Sequence, residues 1–246
     1  MRLLLILGIA TIVSICKAEP NAVSPKFEPG KEVRLDAGKP AGEILVYVPS
    51  DYNDDCNWPA IFYYHGQGGK LGTKWLQTAT GGKGFVIVSL EFVPTISRQM
   101  TQVQYRAYVE KEIKNFASVR HFLQSKLKID PKMTVLAGIS QGGWLAADIF
   151  NIRPQLAAAA VITCAGYQSW LGNGTLSYAG KYIYVGAGET DYNLEPAKKA
   201  AKFFENRDAD VTLEIYKGLG HEINPKSPIM QKWFSDLRNN LSRTAK

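Results

Sequence analysis

Histidine and cysteine are scarce in this chain, with three of each among 246 residues. His65, His121 and His221 stand far apart, and no cysteines share the short spacing of a zinc ligand set. No metal and no cofactor are therefore expected. Basic runs interleaved with aromatics are missing too. The formal charge is +7, and 7 less the two charges of Arg2 and Lys17 leaves +5 on residues 19–246, scattered singly or in pairs such as Lys198-Lys199. That distribution argues against a nucleic-acid partner.

No apolar run is long enough to cross a bilayer. Residues 3–15 make a run of 13, where a spanning helix needs about 20, so no stable membrane span is expected. With Arg2 before it and Cys16-Lys17-Ala18 after it, the run reads as a secretory signal peptide over residues 1–18, cut before Glu19. Ile15 stands where a small residue precedes a lipidated cysteine, so anchoring through Cys16 is not expected. The expected location is secreted or periplasmic. Two sites fit the glycosylation acceptor pattern, Asn173-Gly174-Thr175 and Asn240-Leu241-Ser242.

What is present is a globular composition, 46% hydrophobic and 21% charged, enough for residues 19–246 to form one domain with a substantial core. Apolar runs at 43–48, 59–64, 84–91, 133–139, 158–164, 181–185 and 211–216 read as strands. Between them, helical periodicity marks 105–128, 143–152, 197–204 and 228–241. The alternation predicts an α/β fold, a mainly parallel sheet with helices on both faces. Cys56 precedes one such strand and Cys164 ends another. A strand separates its ends by about 17–20 Å, beyond the ~7 Å limit for a bridge, so both thiols are expected free.

Reactive groups in such sheets collect at the carboxyl ends of the strands. The most informative string there is Gly138-Ile139-Ser140-Gln141-Gly142, set between a strand and a helix. Gly-x-Ser-x-Gly in that setting is a nucleophile elbow, where glycines permit a turn too tight for side chains and the hydroxyl projects above the sheet. The strand at 59–64 runs into His65-Gly66-Gln67-Gly68-Gly69, a loop whose backbone N–H groups suit a developing oxyanion. The strand at 211–216 leads to Lys217-Gly218-Leu219-Gly220-His221, which offers a general base. No Asp or Glu occurs between Asp148 and Glu189, so the acid comes from the segment after 181–185. Asp191 is the choice, with Glu189 as the alternative.

The chain order Ser140, Asp191, His221 is that of the α/β-hydrolases. Gly138-Ile139-Ser140-Gln141-Gly142-Gly143 and Tyr216-Lys217-Gly218-Leu219-Gly220-His221-Glu222-Ile223 resemble the elbow and histidine signatures of the phospholipase/carboxylesterase group. The arrangement is also similar to secreted feruloyl-esterase and polyhydroxybutyrate-depolymerase relatives. The resemblance spans residues 45–246 and implies an α/β-hydrolase fold acting on carboxylic esters or thioesters, on a small molecule or linked to a polymer. Two features depart from it: the loop at His65 differs in detail from the acyl-protein thioesterase pattern, and Gly188-Glu189-Thr190-Asp191-Tyr192-Asn193 lacks an Asp-Pro pair.

These readings make Ser140 the nucleophile, His221 the base and Asp191 the residue that orients it. The oxyanion donors are the N–H of Gln141 and one from Gly66 or Gln67. His65 is expected to brace that loop, and His121 to lie at the surface or in packing. The connection 164–181 is too short for a cap domain, so an open site is expected, with Tyr167, Trp170 and Tyr192 as candidate lining. A peptidase of the same fold and a non-catalytic binding protein are the other classes.

Overall fold

The computed structural model describes residues 26–92, 100–172 and 176–244. The signal-peptide reading, Cys16 and the acceptor site at Asn173 lie outside these residues. The order of elements is β1 (Glu32–Asp36), β2 (Glu43–Tyr47), β3 (Trp58–Tyr64), α1 (Lys74–Thr80), β4 (Val86–Leu90), α2 (Gln102–Gln124) and β5 (Ile129–Ile139). Then follow α3 (Gln141–Ile152), β6 (Ala159–Thr163), β7 (Tyr182–Gly188), α4 (Leu194–Glu205), β8 (Asp210–Tyr216) and α5 (Pro228–Thr244).

Among the described residues, eight strands form one sheet in the order β1-β2-β4-β3-β5-β6-β7-β8. β1 and β2 pair antiparallel, and β2 pairs antiparallel with β4. From β4 to β8 every pairing is parallel. Parallel strands need crossovers; α1, α2, α3 and α4 supply all but the β6–β7 connection, and with α5 they cover both faces. β3 illustrates the result. Trp58, Ala60, Phe62 and Tyr64 join the core beneath α2, α3 and α4, while Ile61 and Tyr63 join the core beneath α1 and α5. This is why residues 59–64 read as an unbroken apolar run rather than an alternating one.

Phe62 is fully buried and meets Phe116 of α2 edge-on at 4.9 Å. Truncating such a ring to alanine costs about 3–5 kcal/mol. α2 begins at Gln102, three residues before the predicted start, because Thr101 and Gln104 form a capping box: Gln104 N donates to Thr101 Oγ1 at 3.2 Å and Thr101 N to Gln104 Oε1 at 2.9 Å. His121 is exposed on its last turn. Asn240 lies within α5.

β1 and α1 are additions to the predicted elements. Within the described part of the 164–181 connection there is no helix or strand, and its Leu171 and Tyr178 are buried in the core. Cys56 is exposed and Cys164 buried, both as free thiols. Among the described residues no helix is long and apolar enough to cross a membrane.

Candidate active site

The elbow forms where the central parallel strand β5 meets α3. Ser140 has φ 53° and ψ −122°, a conformation costly for any residue with a side chain. Its surroundings hold it there: Ser140 N donates to Thr163 O of β6 at 2.9 Å, and Trp144 N donates to Ser140 O at 2.9 Å. The flanking glycines are steric requirements. A Cβ on Gly138 would stand 2.1 Å from Gly142 O, and one on Gly142 would stand 2.1 Å from Tyr64 O. α3 therefore starts at Gln141, directly after the serine, two residues earlier than its apolar pattern begins.

Three strand ends converge on this hydroxyl. His221, beyond β8, has Nε2 at 2.9 Å from Ser140 Oγ and Nδ1 at 2.8 Å from Asp191 Oδ1. Asp191, beyond β7, has a fully buried carboxylate. Its Oδ1 also accepts from Asn193 N at 2.8 Å, and its Oδ2 is buried with no hydrogen-bond partner among the described residues. Because Nδ1 faces a carboxylate oxygen, it carries the ring proton, which leaves the Nε2 lone pair toward Ser140. Glu189 is placed differently: it is exposed, and its Oε2 accepts from Gly218 N at 2.9 Å.

The His65 loop lies against the serine from the other side. A Cβ on Gly66 would be 3.4 Å from Ser140 Cβ, an ordinary contact distance, so the loop backbone packs directly beside Ser140. Gly66 O accepts from His65 Nδ1 at 2.7 Å and from Gly69 N at 3.0 Å. In a trans peptide the carbonyl and the next N–H point opposite ways, so these two bonds also aim the Gln67 N–H. Among the described residues neither Gln67 N nor Gln141 N donates to a backbone acceptor. His65 is buried, with its ring 4.8 Å from that of Phe92.

Ser140 opens into a cavity of about 610 Å³ whose walls include Gln67, Tyr105, Tyr108, Trp144, Trp170 and Tyr192. Trp170 and Tyr192 match the expected lining, whereas Tyr167 faces a neighbouring cavity. Tyr105 and Tyr108 come from the first turns of α2, where i, i+3 aromatics read as core. Trp144 follows Ser140 by one turn of α3. Tyr192 stacks on the His221 ring at 4.3 Å, with its hydroxyl 2.9 Å from Nε2. One lone pair cannot serve both the Ser140 and Tyr192 hydroxyls fully, and Tyr192, 73% exposed, is the one free to turn away.

Behind the cavity wall, Tyr105 Oη donates to Asp148 Oδ2 at 2.8 Å and Gln168 N donates to Asp148 Oδ1 at 2.7 Å. These bonds tie α2, α3 and the loop carrying Trp170. Burial pushes the Asp148 carboxyl up to about 7, against the opposing pull of both hydrogen bonds. Burial also pushes the Cys164 thiol up, and the adjacent Asp191 adds to the effect, so it stays protonated. Cys164, Asp191 and His221 bring donor atoms within 4.8 Å of one another. A metal there would compete with the Asp191–His221 hydrogen bond, which already accounts for the grouping.

Fold and site together define the class: this is an α/β-hydrolase fold. Solved structures similar to it include one of two fungal esterases from Rhizomucor miehei, at 15% identity over 89% of this chain and 87% of that one, TM-score 0.66. Thermogutta terrifontis esterase 2, phosphoramylated by tabun, is 18% identical over 89% and 96%, TM-score 0.61. A phospholipase/carboxylesterase from Dyadobacter fermentans is 15% identical over 81% and 95%, TM-score 0.60. At these identities the likeness is one of fold. No protein-family model matches the sequence, and no curated protein matches it.

Proposed function

We propose that this protein is an exported serine hydrolase that cleaves carboxylic esters through an acyl-enzyme on Ser140. The observation that carries the reading is the unbroken hydrogen-bond chain from Ser140 Oγ through His221 to the buried Asp191, built on an elbow with φ 53°. As Oγ attacks the acyl carbon, its proton passes to His221 Nε2. Asp191 holds a negative charge beside the imidazolium that forms. The oxyanion is met by Gln141 N–H together with Gln67 or Gly66 N–H. The bond to the alcohol then breaks, and His221 returns the proton to the departing oxygen. Water repeats the sequence on the acyl-enzyme, releasing the acid and restoring Ser140. Thioesters fit the same steps.

Two further points support esters over peptides. Among the described residues that line the Ser140 cavity there is no Asp or Glu to anchor a substrate amine, and an alkoxide leaves more easily than an amine. Pre-steady-state hydrolysis of p-nitrophenyl acetate tests the reading. A burst near one p-nitrophenol per chain is expected, and Ser140→Ala should remove on the order of 10⁶ of kcat. A variant retaining a tenth of the wild-type turnover would overturn it. Export rests on residues 1–18: protein recovered outside the cytoplasm should begin at Glu19, and retention of Met1 on protein found only inside would contradict it.

A further inference from the structure

The two edges of the sheet are built differently. β1, at one edge, is Glu-Val-Arg-Leu-Asp, and its charges discourage a further strand from adding. β8, at the other edge, is Asp-Val-Thr-Leu-Glu-Ile-Tyr, contains no Lys, Arg or Pro, and among the described residues pairs with β7 alone. The bonds from Asp210 N to Lys181 O at 2.9 Å and from Glu189 N to Tyr216 O at 3.0 Å fix which of its residues bond toward β7: Asp210, Thr212, Glu214 and Tyr216. Val211, Leu213 and Ile215 alternate with them, so their N–H and C=O groups point outward along the open edge.

This edge is also apolar. Among the described residues five large hydrophobic side chains are exposed, and two of them, Leu213 at 41% and Ile215 at 42%, stand on β8, on the same face as Val211. A third, Ile229 at 51%, lies in the first turn of α5 on the opposite face. Ser227 Oγ ties it there, accepting from Ile229 N at 3.1 Å and donating to Glu214 Oε1 at 2.5 Å. Glu214, the only charge between Asp210 and Lys217, also accepts from Tyr184 Oη, so its carboxylate is held over its own sheet rather than across the edge. Asp210 at the start of the strand and Lys217 just past its end are both exposed.

We propose that β8 pairs antiparallel with β8 of a second copy of this chain across a twofold axis at Leu213, so that one sheet runs through both copies. Of the possible axes, only one at Leu213 sets all three outward-facing residues of each copy opposite one another. Leu213 then meets its twin, and Val211 of each copy meets Ile215 of the other, apolar pairs of the kind that stabilise cross-strand contacts. Antiparallel pairing also brings the Asp210 end of each strand toward the Lys217 end of the other, where parallel pairing would set like charges together. The interface is independent of the chemistry at Ser140, since β5 lies three places from β8 in the sheet.

Sedimentation velocity at tens of micromolar should give twice the chain mass. Leu213→Lys sets two like charges opposite each other at the axis and removes two leucines from the interface, so it should raise the dissociation constant about tenfold or more. The variant should stay folded, because Leu213 is already exposed in the single chain. Disulfide capture reads the register. Facing Cα atoms in a hydrogen-bonded antiparallel pair are about 5.5 Å apart, within bridging range, whereas Thr212 and its twin, offset by two residues, would be about 8 Å apart and beyond it. In protein starting at Glu19 and carrying Cys56→Ser, Leu213→Cys should therefore yield covalent dimer on oxidation with copper–phenanthroline in air, and Thr212→Cys should not. A monomer at every concentration, a dimer indifferent to Leu213→Lys, or cysteine variants that bridge equally or not at all would each overturn the proposal. Should Leu213→Lys fail to fold, the two cysteine variants decide alone.

Discussion

Exchanging the acid for its amide tests the geometry most sharply, because two carboxylates two residues apart compete for the role. In Asp191→Asn the side chain keeps its size, so the loop that also receives Asn193 N at 2.8 Å should hold. If the amide oxygen keeps the Oδ1 position, the tautomer survives and only the charge is lost. An ion pair about 4 Å between charge centres is worth about 4 kcal/mol at an effective dielectric of 20, or about a thousandfold in rate. If the amide nitrogen faces His221 Nδ1, the ring proton moves to Nε2, the lone pair toward Ser140 is lost, and the deficit is about 10⁴. Glu189→Gln retains an oxygen for Gly218 N and should stay within about twofold, as exposed changes away from such features do. The assay is kcat on p-nitrophenyl acetate, with thermal unfolding to confirm that both variants fold. A larger loss for Glu189→Gln than for Asp191→Asn would refute the assignment of the acid.

Other expectations follow from single contacts. His65→Ala frees the Gly66 carbonyl from one of its two donors, and kcat should fall by about 10–100-fold with little change in KM, measured by steady-state kinetics. An equal rise in KM would mean that His65 binds substrate instead. Asp148, raised from 3.8 to about 7 by burial, binds more protons folded than unfolded between those values. Its stabilising contribution is thus complete below about pH 4 and is lost as pH rises toward about 7. The melting temperature of Asp148→Asn should therefore gain on wild type across that window, and parallel curves would contradict the assignment. In protein starting at Glu19, one thiol should react promptly with a chromogenic disulfide and a second only after unfolding, reporting exposed Cys56 and buried Cys164.

The parallel core was legible because strands buried on both faces need continuous apolar runs, as at 59–64 and 158–164. β1 escaped notice because Glu-Val-Arg-Leu-Asp is a charged edge strand with only Leu35 buried. α1 is seven residues ending at Gly81 in the left-handed region, too short to show a period. β5 runs back to Ile129 through Pro131, a residue that argues against a strand interior. Within the site, Ser140 and His221 were marked by their glycines. The gap in acids narrowed the third position to Glu189 and Asp191, but no local signal tells which carboxylate turns inward and which meets Gly218. Trp144, Tyr105 and Tyr108 were invisible as cavity walls because helical aromatics at these spacings read equally as core. The stacking of Tyr192 on His221 depends on two loops, after β7 and β8, meeting in space.

The central claim is that Ser140 is the nucleophile, and covalent capture tests it most directly. The folded protein is treated with a fluorophosphonate, digested and mapped by mass spectrometry, alongside Ser140→Ala and heat-unfolded controls. One adduct per chain is expected, on the Ser140 hydroxyl alone, abolished in both controls and formed in step with the loss of esterase activity. An adduct on another residue that tracks the loss of activity, or esterase activity that survives full modification of Ser140, would contradict the account.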